Sequence, residues 1–267
     1  MAQLSINEVT TFRWPFERDL AEYAALGIGA VGVWRQKLSD FGEEKGIELL
    51  AESGLKVSNL LWAGGFTGSD GGSLRENIDD GLEAVRLAHE MNAACLVVYS
   101  GGRAGHTHNH VRRLVKEAMN ELARSAAELD VTLALEPMHL GCAAEWTFLT
   151  SLDAALELID CLDAPHIKLA FDTYHFGGDD GILTRLAGLA PRIAIVHLGD
   201  RKCPPQHEQN RVRLGEGTLP LGEIVAALNS AGYTGYYDVE LLGEEFETAD
   251  YRELIEHSKR AFERWLG

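Results

Sequence analysis

The stretch IKLAFDTYH, residues Ile167 to His175, decides the fold. Its first half is a short, almost uninterrupted apolar run, the pattern of a strand buried on both faces in a parallel sheet. It then stops on Asp172, a side chain made for water or a cation. Working outward, three more runs end the same way: TLALEP at Glu136, IAIVHLGD at His197 and GYYDVELL at Glu240. Three carboxylates and one imidazole at successive strand ends can converge on a single divalent ion. Such strands alternate with longer stretches of helical period along the rest of the chain, which is the signature of βα units. Strands are expected at 4–8, 30–34, 57–62, 95–99, 132–137, 167–172, 193–198 and 236–241. Helices are expected at 17–26, 39–53, 74–91, 110–129, 152–161, 182–189, 221–231 and 250–265. Ser73-Leu-Arg-Glu76 fits a capping box, and Thr150-Ser-Leu-Asp153 has the same form.

Eight right-handed crossovers in 267 residues close most simply into a (β/α)8 TIM barrel, and no proline- or serine-rich linker divides it, so one domain over 1–267 is expected. The composition is that of an ordinary globular protein, with 46% hydrophobic and 24% charged residues. A net charge of -17 repels phosphate backbones and anionic headgroups, so nucleic acid is a disfavoured partner. The four scattered cysteines and the absence of a signal-like start or a membrane-length apolar run point to a reduced, cytoplasmic protein.

Active sites of this fold gather where the strands end, on the βα loops. Glu136, Asp172, His197 and Glu240 are all expected there. Their oxygen-rich set with one imidazole suits manganese first, then magnesium or cobalt, better than a closed structural zinc site, although zinc is compatible. His175 follows Asp172 by one turn and can reach a position beside the metal or a substrate hydroxyl. Trp14, Trp34 and Trp62 fall near the ends of the first three strands, where flat apolar faces can wall a sugar pocket; core packing explains them nearly as well. His139, Glu145 and Trp146 are candidate substrate contacts in the loop after the fifth strand. The glycine-rich 63–73 loop has the composition of either a lid or a plain solvated loop. The trio His106, His108 and His110 lies at a helix start, where capping is a better account than a second metal.

The pattern LEP…FDTYH…VHLGD…NRVRLGEG…VELL resembles the sugar phosphate isomerase/epimerase family of the xylose isomerase-like barrels. The resemblance implies one divalent metal held by Glu136, Asp172, His197 and Glu240, and a substrate contact for Arg211. It also implies chemistry that begins with removal of a proton next to a carbonyl. A carboxylate can do this only when the resulting enediolate is stabilised, which a metal on the carbonyl and the neighbouring hydroxyl supplies. With Glu136 and Glu240 on opposite faces as acid and base, the outcome is epimerisation or aldose–ketose isomerisation of a sugar or sugar phosphate. Loss of a β-hydroxyl as water would instead give a dehydratase acting on a keto-inositol or keto-sugar. Endonuclease IV shares the Asp-x-x-His pair, but its histidine ligands are replaced here by Trp34, Trp62 and Tyr99 at the early strand ends and by Asn210-Arg-Val212 in the late loop. A sugar binder without catalysis has little need of two bases. The expected partner is a small carbohydrate; basic residues in the 199–219 loop leave phosphorylation open, and a homo-oligomer is compatible with the fold.

Overall fold

The computed structural model describes residues 2–207 and 209–266. Eight parallel strands close into a barrel in the order β1-β10-β7-β6-β5-β4-β3-β2. They are β1 (Gln3–Asn7), β2 (Ala30–Trp34), β3 (Lys56–Gly64), β4 (Leu96–Tyr99), β5 (Leu133–Leu135), β6 (Ile167–Asp172), β7 (Ile193–Leu198) and β10 (Tyr236–Val239). Between β7 and β10 a two-residue antiparallel ribbon, β8 (Asp200–Arg201) with β9 (Arg211–Val212), folds over the rim. Helices α1 (Phe16–Ala25), α2 (Arg35–Phe41), α3 (Glu43–Ser53), α4 (Leu74–Glu90) and α5 (His108–Leu129) cover the first half of the barrel. The second half is covered by α6 (Leu152–Leu162), a single turn α7 (Thr173–Phe176), α8 (Ile182–Leu189), α9 (Leu221–Ser230) and α10 (Tyr251–Leu266). Among the described residues no helix is long and apolar enough to cross a membrane.

The expected elements are present, with three informative departures. The helix expected over 39–53 is two helices, because Gly42 between them takes φ +105°, a left-handed geometry that ends α2 and restarts the chain as α3. The capping box at Ser73 and Glu76 forms as expected. At α6 the cap is Ser151, which accepts from the Ala154 amide, while Asp153 pairs with Arg185 of α8. An exposed carboxylate with an arginine in reach has no need of the cap. The β8–β9 ribbon is too short to leave a periodic trace in the sequence.

Strand and helix layers share one large apolar core that includes Ile6, Val33, Leu60, Leu133, Leu169 and Val239, all fully buried. Beneath the mouth, however, the barrel interior is polar. Asp238 accepts from Asn7 and Asn59, both at 2.7 Å, and Ser5 meets Ser58 at 2.6 Å. Gly32 makes this layer fit, because a Cβ there would lie 2.5 Å from Asp238 Oδ2. A second buried polar group joins β1 to the first helices: Lys37 Nζ donates to Asp19 and to the carbonyls of Glu8 and Thr11, the latter two at 3.0 Å. Both Lys37 and Asp19 are buried. The Thr11 hydroxyl bonds Asp19 at 2.7 Å and meets Tyr23 at 2.6 Å.

Candidate active site

Parallel pairing aligns side chains on one face of neighbouring strands. Asp172 of β6 and His197 of β7 are register partners, and His197 is also paired with Asp238 of β10. Glu240 lies two residues beyond Asp238 and Glu136 one beyond β5, so all four expected residues reach the barrel mouth. Glu136, Asp172 and His197 form one group whose ligand atoms lie within 4.8 Å of one another, the single such group among the described residues. Glu240 stands at its edge, 3.0 Å from His197 Nδ1; Glu136 Oε1 approaches the same nitrogen at 3.3 Å. The trio His106, His108 and His110 makes no such group. Thr107 caps α5 by accepting from the His110 amide, and the His106 and His110 rings lie 4.7 Å apart.

Three acids in a dry space need compensating positive charge. Arg211, fully buried, supplies part of it: its Nη2 lies 3.2 Å from Asp172 and 3.7 Å from Glu240, and its guanidinium stands 3.9 Å over the Tyr174 ring. Burial works against a charged His197, but Glu136 and Glu240 overcome it and lift the imidazole to about 10. Burial pushes Glu240 up to about 8, against the pull of His197 and Arg211. His175, also buried, holds Nε2 3.6 Å from Asp172. Glu136 Oε2 is a buried acceptor with no hydrogen-bond partner. An unsatisfied carboxylate oxygen beside a second carboxylate and an imidazole is the donor set that a divalent cation takes, so the residues fit the metal that was expected here.

A cavity of about 440 Å³ opens above Glu240, walled by Trp34, Trp62, Tyr99, Met138 and Trp146. Trp34 and Trp62 therefore stand where the sequence suggested. Trp14 does not: it is buried edge-on against Tyr251, with centroids 5.2 Å apart, so core packing accounts for it. His139, half-buried, accepts from the Gly141 amide at 3.0 Å and is not among the residues lining this cavity. Burial, with Arg201 and His175 nearby, lowers its pKa. Two of the basic residues of the 199–219 loop, Arg201 and Arg211, are engaged within the protein. Arg201 donates to the carbonyls of Tyr174 at 2.7 Å and Cys203 at 3.2 Å, and Arg211 is paired as above. The 63–73 loop is tethered: Ser69 donates to the Glu145 carbonyl at 3.2 Å, and Asn77 Nδ2 donates to Gly65 at 2.5 Å.

One residue that matters here escaped the sequence reading. Asp200, fully buried at the start of the ribbon, accepts from four backbone amides, those of Arg201, Gly215, Gly217 and Leu219, at 2.8 to 3.3 Å. These bonds fold the loop that brings Arg211 to Asp172. The aspartate in HLGD was the available signal. Asp200→Ala is expected to cost about 2–3 kcal/mol in urea unfolding, because bonds to a charged acceptor are lost and buried amides are left unpaired. Asp200→Asn, which keeps one acceptor oxygen, should recover part of that, and the alanine variant should be cleaved faster by protease within 199–219.

A closed parallel barrel with a carboxylate–imidazole group at the ends of its strands places the protein in the class of barrels whose C-terminal rim is the candidate site. The chain belongs to the xylose isomerase-like TIM barrel family, whose model matches residues 20–261. It is 30% identical over 118 residues to the D-psicose 3-epimerase of Enterocloster bolteae, a match covering 44% of this chain and 36% of that protein. The chain thus aligns with about a third of that relative's length. Among solved structures, a protein of Sinorhizobium meliloti 1021 superposes with a TM-score of 0.90 at 27% identity, over 98% of this chain and 97% of the other. The IolI protein solved with a zinc atom has a TM-score of 0.85 at 20% identity, over 99% and 98%, a likeness of fold.

Proposed function

We propose that the protein is a divalent-metal-dependent sugar isomerase or epimerase that moves a proton next to a carbonyl. The observation that carries this reading is the convergence of Glu136, Asp172 and His197 within 4.8 Å, with Glu240 beside them on the floor of an aromatic-walled cavity. The D-psicose 3-epimerase relative supports the reaction class, and the zinc-bearing neighbour is consistent with a metal in this fold. Glu136, Asp172, His197 and Glu240 would hold the cation, manganese being the first choice from the donor set. When bound, the cation supplies Lewis-acid stabilisation of the charge that develops on the substrate oxygen.

The chain's own groups do the rest. Glu240, at the cavity floor, removes or returns the proton on one face of the reacting carbon, and Glu136 serves the other. Arg211 and His175, beside Asp172, hold the neighbouring substrate oxygens. The aromatic walls exclude water from a carbanion that water would quench. The substrate is a small carbohydrate, the protein works in the cytoplasm, and the 267 residues form one domain.

Incubation with ketoses, aldoses and inososes in D2O tests the reading. Deuterium should enter the carbon beside the carbonyl with no loss of mass as water; release of water with an enone product would assign a dehydratase instead. Manganese at about a hundred times its dissociation constant should stabilise the fold by about 2.7 kcal/mol, raising Tm by roughly 5–10 °C. Asp172→Asn should lose most of that shift in differential scanning fluorimetry, and an unchanged shift would remove the four residues as the ligand set.

A further inference from the structure

The cavity above Glu240 is not the largest in the molecule. A second, of about 690 Å³, lies beside it toward β2 and β3, and the two share Trp34, Leu61, Trp62, Tyr99 and Trp146 as a common wall. The inner cavity alone falls within the range of about 300–1,000 Å³ that holds a complete small ligand. One sugar ring over Glu240 therefore leaves the outer chamber unused.

The shared wall is a cluster of aromatic rings packed against one another. Trp62, Tyr99 and Trp146 stand mutually tilted or edge-on, with centroids 5.1 to 5.8 Å apart. Trp146 is 37% exposed, one of few large apolar side chains left in the open. An exposed indole at the junction of two cavities offers its face to sugar C–H bonds. The tether from Ser69 to the Glu145 carbonyl ties the two loops that form the outer chamber to each other.

The polar lining of that chamber selects against phosphate. Its one arginine, Arg35, is engaged by both oxygens of Asp80, at 2.8 and 2.9 Å, and donates to the Trp62 carbonyl at 3.0 Å. Glu43, Asp70 and Glu145 also line it, so the chamber is net acidic. Carboxylates and amides accept and donate well to sugar hydroxyls, and they repel an anionic ester.

We propose that the outer chamber is a second sugar subsite, so that the substrate is an unphosphorylated keto-sugar carrying a second ring in glycosidic linkage. The reacting ring lies over Glu240 and the second ring passes Trp146 into the chamber bounded by Glu43, Asp70 and Glu145. This rests on the proton-transfer reading of Glu136 and Glu240 given above, and the test separates the two.

The test titrates the manganese-loaded protein by calorimetry with fructose, with fructose 6-phosphate, and with the four glucosyl-fructoses linked at O3, O4, O5 and O6. At least one disaccharide should bind about tenfold or more tightly than fructose, with the phosphate ester weakest. Ser39→Trp and Gln36→Trp, two exposed positions of α2 that line the outer chamber, should each reduce that ratio at least severalfold. Fructose binding as well as every disaccharide, tightest binding by the phosphate ester, no binding by any disaccharide, or an unchanged ratio in both tryptophan variants would overturn the subsite. Solvent deuterium measured in the same samples judges the chemistry alone. Preferential disaccharide binding without exchange into any sugar sinks the proton-transfer reading and leaves the subsite standing, and exchange with no disaccharide preference does the reverse.

Discussion

Glu240→Gln should lower the rate of solvent-deuterium exchange into substrate by about 10²–10⁴-fold at saturating metal, the range over which a positioned acid or base contributes to a proton transfer. The substitution is nearly isosteric, and its amide oxygen can still approach a cation. The lost function is therefore the basic oxygen that faces the cavity, where Glu240 is 7% exposed while Glu136 and Asp172 below it are each 1% exposed. Glu136→Gln should reduce exchange comparably for the opposite epimer. With the two glutamates on opposite faces, interconversion of the epimers needs both, and each variant keeps wash-in of deuterium only when it is supplied with the epimer whose proton faces the remaining glutamate. Exchange within a few-fold of the parent from both epimers in one variant, with metal content confirmed by elemental analysis, would remove that residue from the chemistry.

The parts of this site that were legible in the sequence are those with a local signature. Asp172 ends an apolar run, and a polar side chain at that point of a buried parallel strand can only lie at the barrel's mouth. His197 is its register partner for the same reason. Trp34 and Trp62 were legible as positions but not as roles, because an aromatic residue at a strand end packs either inward toward the mouth or outward beneath a helix. Trp14 shows the second outcome, and only the neighbouring Tyr251, from the other end of the chain, decides it. The loops were least legible. Ser69 and Glu145 are 76 residues apart, and the Asp200 bonds reach as far as Leu219, contacts that leave no period in either segment. Gly42 was visible as a letter, but its positive φ could not be read from one glycine within a helical pattern.

Lys37→Met should be the most destabilising single change away from the site, by about 3–5 kcal/mol in urea unfolding, because it leaves Asp19 as an uncompensated buried charge. The lysine also holds the carbonyls of Glu8 and Thr11, and Val9 and Phe12 between and beyond them line the cavity. Glu8 in turn accepts from the Trp34 amide at 2.8 Å, so the same cluster sets the position of a cavity wall. The pH dependence distinguishes this cause from lost packing. Burial lifts the Asp19 carboxyl from its ordinary 3.8 to about 6 even with Lys37 beside it. The folded protein therefore holds that proton more tightly than the unfolded chain does. The contribution of such a group is fully present below the unfolded value and is lost as pH rises through about 6. Without Lys37 the folded value climbs further, so the deficit of the methionine variant relative to the parent should be smallest in acid and grow as pH rises past about 6. Asp19→Asn in the same chain should recover part of the stability and flatten the pH dependence of the difference. A deficit that is constant with pH, or one that the second substitution leaves unchanged, would assign the loss to the lysine's packing and its carbonyl bonds instead of to the buried charge.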